Sequence, residues 1–248
     1  MTKVLIYPVS TPWVYHHEWL GLISFSRDGI NWTTIADKNL WATQVYNNGD
    51  VLNNDNCWYL YQWGNNYGFP RSKYDSIQTS NIQVDTTGYG PWNYYDNNIF
   101  IIGSRNWSSI NNLNLWGHNT GTFIAMQGPC PNDYHIPTST EWEDLITLFT
   151  SDWGWGLSGA DVIKDYLKMP CAWNRRYQDG DIFIWWAYWE YWSTTPNLDS
   201  TEISFAFVFA GVNIYTTEQY RWVWNSIRPF KNTPVQPDTS RTVLYQPN

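Results

Sequence analysis

The sequence predicts an α+β fold with two helices, antiparallel sheets and long loop insertions. Three patterns carry that expectation. Apolar residues recur at helical spacing over 142–149 and again over 162–167. Residues 202–209 alternate between apolar and small or polar types, the period of a strand with one buried face. Residues 53–120 are rich in Asn, Gly, Ser, Tyr and Trp, which reads as long ordered surface loops. Loops of that length are functional or braced by aromatic packing.

In chain order, the first signal is Asn48-Gly49 between the apolar flanks Val45-Tyr46 and Val51-Leu52, which predicts a hairpin. Pro137-Thr138-Ser139-Thr140-Glu141 reads as a capping box, with Thr138 as the cap and Glu141 bonding back three residues later. Trp142, Leu145, Ile146 and Phe149 then form a buried helical stripe. A second helix is expected from Ser158, with Asp161 in the matching place and Val162, Ile163, Tyr166 and Leu167 on its apolar face. It should stop before Met169-Pro170, because the residue before proline is driven out of helical space. In the strand Glu202–Phe209, Ile203, Phe205, Phe207 and Phe209 should face the core, and Ser204, Ala206 and Val208 should face outward. Trp222–Phe230 reads as a final strand, and the proline-containing tail from Asn232 as a linker or docking segment.

Composition narrows the function. A net charge of −8 and a pI near 4.8 argue against nucleic acid and against anionic membrane surfaces as partners. No membrane insertion is expected, since the longest wholly apolar run, Ile182–Trp189, is far short of the roughly 20 residues a spanning helix needs. The apolar stretch at Val4-Leu5-Ile6 is too short for a signal peptide. A cytosolic chain, a fragment of an exported protein, or export without a signal, as in virion assembly, all fit. The 19 Trp and 18 Tyr exceed what a core needs, and such residues favour binding surfaces because they bury large area at little entropic cost.

Catalytic and metal motifs do not rise above background. His16-His17 reads as a surface pair, and His135 as a structural histidine bonded to its loop backbone. There is no GxSxG, no GxGxxG and no phosphate-binding loop. Cys57, Cys130 and Cys171 lack metal-ligand spacing, so either one disulfide with one thiol or three buried thiols fits, and Cys57 with Cys130 is the preferred pair in an oxidising compartment. Gln236-Pro237-Asp238 matches a sugar-lectin calcium tripeptide, but no Trp-Asn-Asp segment follows it and it lies in the tail. No cofactor and no metal are expected. What stands out is the stretch Ala172–Asn225. Between Ile182 and Trp192 it is apolar on both strand parities, so either both faces are buried or one is an exposed aromatic patch; the patch is the favoured arrangement and would mark an interaction site.

Gly128-Pro129-Cys130-Pro131-Asn132-Asp133-Tyr134-His135-Ile136-Pro137-Thr138-Ser139-Thr140-Glu141-Trp142 resembles the GxCPxGWHxPTxxEW signature of the Fibrobacter-type major paralogous domain. That domain belongs to the C-type-lectin-like superfamily, with the formylglycine-generating-enzyme-like proteins. Tyr191-Trp192-Ser193-Thr194-Thr195-Pro196 and Ser226-Ile227-Arg228-Pro229-Phe230-Lys231 resemble its later strands, and Ile35–Leu40 and Tyr61–Asn65 fit the same pattern. The resemblance implies a C-type-lectin-like domain over 30–232, an N-terminal accessory segment 1–29 and a tail 233–248, with a variable region at about 172–225.

Within that superfamily the chain most resembles the variable proteins of diversity-generating retroelements, in which a C-terminal stretch is rewritten on a fixed scaffold. The resemblance implies ligand binding without chemistry. The partner would be a protein or glycan on another cell's surface, and the protein would be carried on a phage tail or a bacterial surface. The implied ligand-facing residues are Asn174, Arg176, Tyr177, Phe183, Ile184, Tyr188, Ser204, Ala206, Val208, Gly211, Asn213, Tyr220, Val223 and Asn225. Arg175, Trp192, Phe207, Arg221 and Arg228 are implied to be scaffold. The alternatives are a formylglycine-generating-type oxidase, whose late cysteine pair has no counterpart after Cys171, and a non-diversified carbohydrate-binding module. Trp41, Trp92, Trp173, Trp189 and Trp224 stand where the resemblance more often places Gly, as a UGA codon read as Gly would produce.

Overall fold

The computed structural model describes residues 13–17, 20–57, 59–70, 77–150, 159–170, 174–175, 178–179, 182–183, 188–210 and 213–237. In chain order the elements are β1 (Trp13–His17), β2 (Leu22–Ser26), β3 (Thr33–Ala36), the single turn α1 (Asn54–Cys57), β4 (Tyr61–Gln62), β5 (Gln78–Ser80), β6 (Ile99–Ile101), β7 (Tyr134–His135), α2 (Ser139–Thr150), α3 (Gly159–Tyr166), β8 (Asn174–Arg175), β9 (Ile182–Phe183), β10 (Tyr188–Pro196), β11 (Ile203–Ala210), β12 (Asn213–Tyr220), β13 (Trp224–Asn225) and β14 (Phe230–Lys231). The architecture is mixed α+β with mostly antiparallel sheets.

A five-stranded sheet runs β1-β2-β3-β14-β7, so the last strand sits in its interior between two early ones. β1 and β2, from the stretch set apart by sequence as an accessory segment, extend this same sheet. Asp28 shapes the β2–β3 turn. Its Oδ1 accepts the Ile30 and Asn31 amides at 2.8 and 2.7 Å and the Ser26 hydroxyl at 2.9 Å. Those bonds, led by the Asn31 amide, hold the Asp28 carboxyl well below the usual carboxylate range. The tail docks on this sheet: the Val235 amide donates to Thr34 Oγ1 and its carbonyl accepts from Ser24 Oγ, at 2.8 and 2.9 Å.

The capping box forms as the sequence spells it. The Glu141 amide donates to Thr138 Oγ1 at 3.1 Å, and the Thr138 amide donates to Glu141 Oε2 at 2.8 Å. Trp142, Leu145 and Phe149 are buried. α3 buries Ile163 and ends at Tyr166, three residues before Met169, with Leu167 buried just beyond it and Lys168 in the left-handed region. Its expected start at Ser158 lies outside the described residues. These two helices, the five-stranded sheet and the second sheet, β10-β11-β12, share one aromatic core that includes Trp142, Tyr191, Phe207, Phe209 and Phe230.

Over 53–120 the long loop text holds α1, a single 3-10 turn at His118–Thr120 and the two- or three-residue strands β4, β5 and β6, among the described residues. A second core braces it, and this is where much of the Trp content goes. Indole N–H groups donate from Trp63 to Ser193 O, Trp107 to Trp63 O and Trp192 to Tyr61 O, at 2.9, 2.7 and 2.7 Å. Large rings fill the volume while each of these polar handles satisfies a buried backbone carbonyl. Gly128 opens the Gly-Pro-Cys-Pro turn at φ +51, and a Cβ there would sit 2.6 Å from Ile136 Cδ1.

Three local expectations are corrected. Asn48-Gly49 forms a turn, but the flanks make no paired strands, because residues 45–53 run over the surface with only Tyr46 buried. His135 bonds side chains rather than its loop backbone: Nε2 meets Glu141 Oε1 at 2.9 Å and Nδ1 meets Asn232 Oδ1 at 2.8 Å. Cys57 and Cys130 are both buried thiols with no disulfide between them. The five tryptophans at expected glycine positions divide. Trp41 has φ +64 and is 55% exposed and Trp92 is 71% exposed, whereas Trp224 is sealed between Phe69 and Phe100 with centroids 4.3 and 4.0 Å away. Trp189 is buried, and Trp173 lies outside the described residues.

Candidate functional site

The variable stretch maps onto β10-β11-β12 and the small hairpin β8–β9, so the two faces of the three-stranded sheet decide what this region can do. Strand alternation and register define the rows. Trp189 opposes Phe209 and Tyr191 opposes Phe207, and Phe209 opposes Ile214. This row lies against α2 and α3 in the first core, with the Trp142 and Phe207 rings stacked 4.4 Å apart at 12°. The other row runs Glu190–Val208–Tyr215 and Trp192–Ala206–Thr217, with Ser204 opposite Gln219 and Ala210 opposite Asn213.

The core-facing expectation holds for Phe207 and Phe209, whereas Ile203 and Phe205 are only partly buried and join neither core, and the expectation that the second row meets solvent is overturned. Ser204, Ala206 and Val208 are at most 1% exposed. Ser204 Oγ accepts from Arg221 Nε at 3.0 Å, and Ala206 packs in the second core with Trp192 and Trp63. Val223 belongs to that core as well. Asn225 is 1% exposed and pairs with Tyr61 through β13–β4, and with its amide nitrogen turned toward them it donates to Trp224 O and Glu190 Oε2. These five expected ligand-facing residues are structural, because the sheet is covered on both sides at this end.

Asn213 is exposed, as expected. Tyr220 is half-buried, stacked on Trp222 at 5.6 Å with the Arg105 guanidinium 5.1 Å from its ring centroid. Asn174 and Phe183 face each other across β8–β9, and Tyr188 opens β10 opposite Ala210; only their backbones are described. Arg176, Tyr177, Ile184 and Gly211 lie outside the described residues, as does half of the apolar run Ile182–Trp189.

The structure adds residues that the sequence reading passed over. Tyr215 shares a parity with Asn213 on β12 and is 38% exposed. Gln219 follows on the same parity and donates to Glu190 Oε2 at 2.8 Å, which fixes a 9%-exposed carboxylate in this face. The period-2 pattern of 213–220 was the available signal. It was faint because Thr-Thr-Glu-Gln carries no apolar row to mark the inner side.

His17 Nε2 lies 2.9 Å from Ser24 Oγ, but Ser24 is fully buried and bonded to Thr34 and Val235, so the pair fastens the tail rather than meeting a substrate. Burial pushes the Cys130 thiol up, away from the thiolate a nucleophile needs. Arg221 lies over Trp63 at 4.4 Å, and burial lowers its pKa to about 10. No group of three or more His, Cys, Asp or Glu among the described residues is placed to hold a metal ion. A cleft of about 200 Å³ between the β2–β3 turn and α2 is small beside the roughly 300–1,000 Å³ of typical small-molecule sites. Among the described residues no helix is long and apolar enough to cross a membrane. Comparison with protein-family models, curated proteins and solved structures gives no match.

Proposed function

We propose that the chain is a non-catalytic ligand-binding protein of the diversity-generating-retroelement type, with its variable surface on a C-type-lectin-like scaffold. It serves as a receptor-binding or adhesion protein on a phage tail or bacterial surface, and its ligand is a protein or glycan on another cell. The reading needs no cofactor and no metal. One observation carries it: along β12, side chains of one parity (Asn213, Tyr215) are exposed while Ile214, of the other parity, packs against the core. Residues on the exposed parity can be exchanged without moving an aromatic frame. A ring such as Tyr215, mounted on a braced strand, loses little entropy on binding. The α+β architecture with antiparallel sheets is compatible with the proposed scaffold. On this reading the surface is formed by β12 and the β8–β9 hairpin, and the buried β11 row is left out of it.

Two measurements test this. The coding DNA should lie near a reverse-transcriptase gene and a near-identical template repeat, with mismatches at template adenines that fall in codons such as those of Asn213 and Tyr215. Mismatches concentrated in the codons of Phe207 and Phe209 would overturn the reading. In a cell-binding assay, the double variant Asn213→Ala, Tyr215→Ala should lose adhesion with an unchanged melting temperature. Undiminished adhesion of the folded double variant would move the ligand site elsewhere.

A further inference from the structure

We infer that Asn48 is a site of spontaneous deamidation in the folded protein, independent of any ligand the protein binds. Asn48-Gly49 is the one Asn-Gly pair in the chain. The reaction begins when the Gly49 backbone nitrogen attacks Asn48 Cγ. A C–N bond forms, the Cγ–Nδ2 bond breaks, and ammonia leaves carrying the proton lost by the Gly49 amide through water. Water then adds to either carbonyl of the cyclic imide and reopens it to aspartate or isoaspartate. The net change is amide plus water to carboxylic acid plus ammonia, with no oxidant or reductant.

Folding usually suppresses this chemistry by locking the side-chain amide, tying up the following N–H or crowding the approach. Here none of the three applies. Residues 47–50 are all exposed. The turn is closed on either side of the reacting pair, by the Asp50 amide donating to Asn47 O at 2.9 Å and the Asn47 amide donating to Asp50 Oδ2 at 2.8 Å. Neither the Asn48 side chain nor the Gly49 N–H is engaged in these bonds. Gly49 sits at φ +97, and beyond its two chain neighbours no atom lies within 4 Å of where a Cβ would stand, so the rest of the fold does not crowd this residue. Other asparagines are held: Asn65 Nδ2 donates to Asn97 O, Asn106 Nδ2 to Thr201 O, and Asn112 Nδ2 to Thr86 O, at 3.0, 2.7 and 2.9 Å. Each event adds one negative charge to a chain already at −8. The isoaspartyl product also lengthens the main chain by a methylene inside the turn that the Asp50 amide closes.

The test is peptide mapping of the full chain after days in mildly alkaline buffer at physiological temperature, beside the same chain unfolded in urea. The expected result is separated aspartyl and isoaspartyl forms of the peptide containing position 48, arising in the folded chain within a few-fold of the unfolded rate, together with an acidic species on ion exchange. Asn48→Gln should abolish both products at unchanged melting temperature. Gly49→Ala should slow them many-fold; if that variant is unfolded by its left-handed φ, Asn48→Gln alone carries the comparison. An intact Asn48 in the folded chain while the unfolded chain converts would overturn the inference, as would faster conversion at any other asparagine.

Discussion

Replacing Phe207 by Ala is the sharpest probe of the division between the two faces of the β10-β11-β12 sheet. Phe207 is fully buried, stacked on Trp142 at 4.4 Å, and 5.8 Å from the Phe209 ring. Trp142 belongs to a capped helix and cannot slide into the void without breaking its indole bond to Trp192 O at 3.2 Å. Truncating a buried Phe costs about 3–5 kcal/mol, and the lost ring pair, contributing about 0.5–1.5 kcal/mol beyond its area, favours the upper half of that range. For a chain of this size the melting temperature should fall by on the order of 10 °C. Tyr215→Ala, from the opposite face and 38% exposed, should cost no more than about 1 kcal/mol. Thermal and urea unfolding of both variants give the comparison. Equal losses, or a Phe207→Ala loss under about 1 kcal/mol, would refute the claim that the Phe207 side is frame while the exposed positions of β12 tolerate exchange.

Three further outcomes are expected. Trp41→Gly should stabilise the protein by about 1 kcal/mol, because it relieves a bulky residue at φ +64 whose ring is mostly in solvent, partly offset by the greater freedom of glycine when unfolded; an unchanged or lower melting temperature would contradict this. His16 is held down to about 4 by burial, then by Lys168 and His17, while the unfolded chain takes that proton near 6.5. The unfolded state therefore binds more protons between those values, so stability should fall as pH falls from 6.5 to about 4, and His16→Gln should flatten the slope in urea titrations across that window. Arg228 donates to Ala36 O at 2.9 Å and Lys168 O at 2.8 Å, tying β3 to the end of α3, so Arg228→Met should cost at least about 3 kcal/mol by chemical unfolding.

What was legible in the sequence was whatever a local rule writes. The capping box at Thr138 and Glu141, the Trp142–Phe149 stripe and the stop before Pro170 each depend on residues within a few positions of one another. The five-stranded sheet was not legible. Its register rests on Phe230 meeting both Ile35 and His135, pairings across most of the chain that no local pattern encodes. The Asn48-Gly49 hairpin failed for the same reason: the turn is local and forms, but strands need partners, and none comes to Val45 or Val51.

The candidate site shows the limit more sharply. A strand tells which residues share a side, and Phe207 with Phe209 on one side and Ala206 with Val208 on the other came out as the alternation requires. It does not tell whether the far side is wet. Ser204 and Ala206 look like surface because they are small, yet their smallness is what a second core demands. Trp192, beside Ala206 in the register, and Trp63 crowd that position, and the Ser204 hydroxyl accepts from the buried Arg221 Nε beside the Ile203 carbonyl. Substituting Ala206 with Leu should therefore destabilise by overpacking, about 1–3 kcal/mol, where a solvent-facing position would accept it freely. If Ala206→Leu were neutral, the second core would be looser than its indole bonds imply, and the β11 row would return as part of the variable surface.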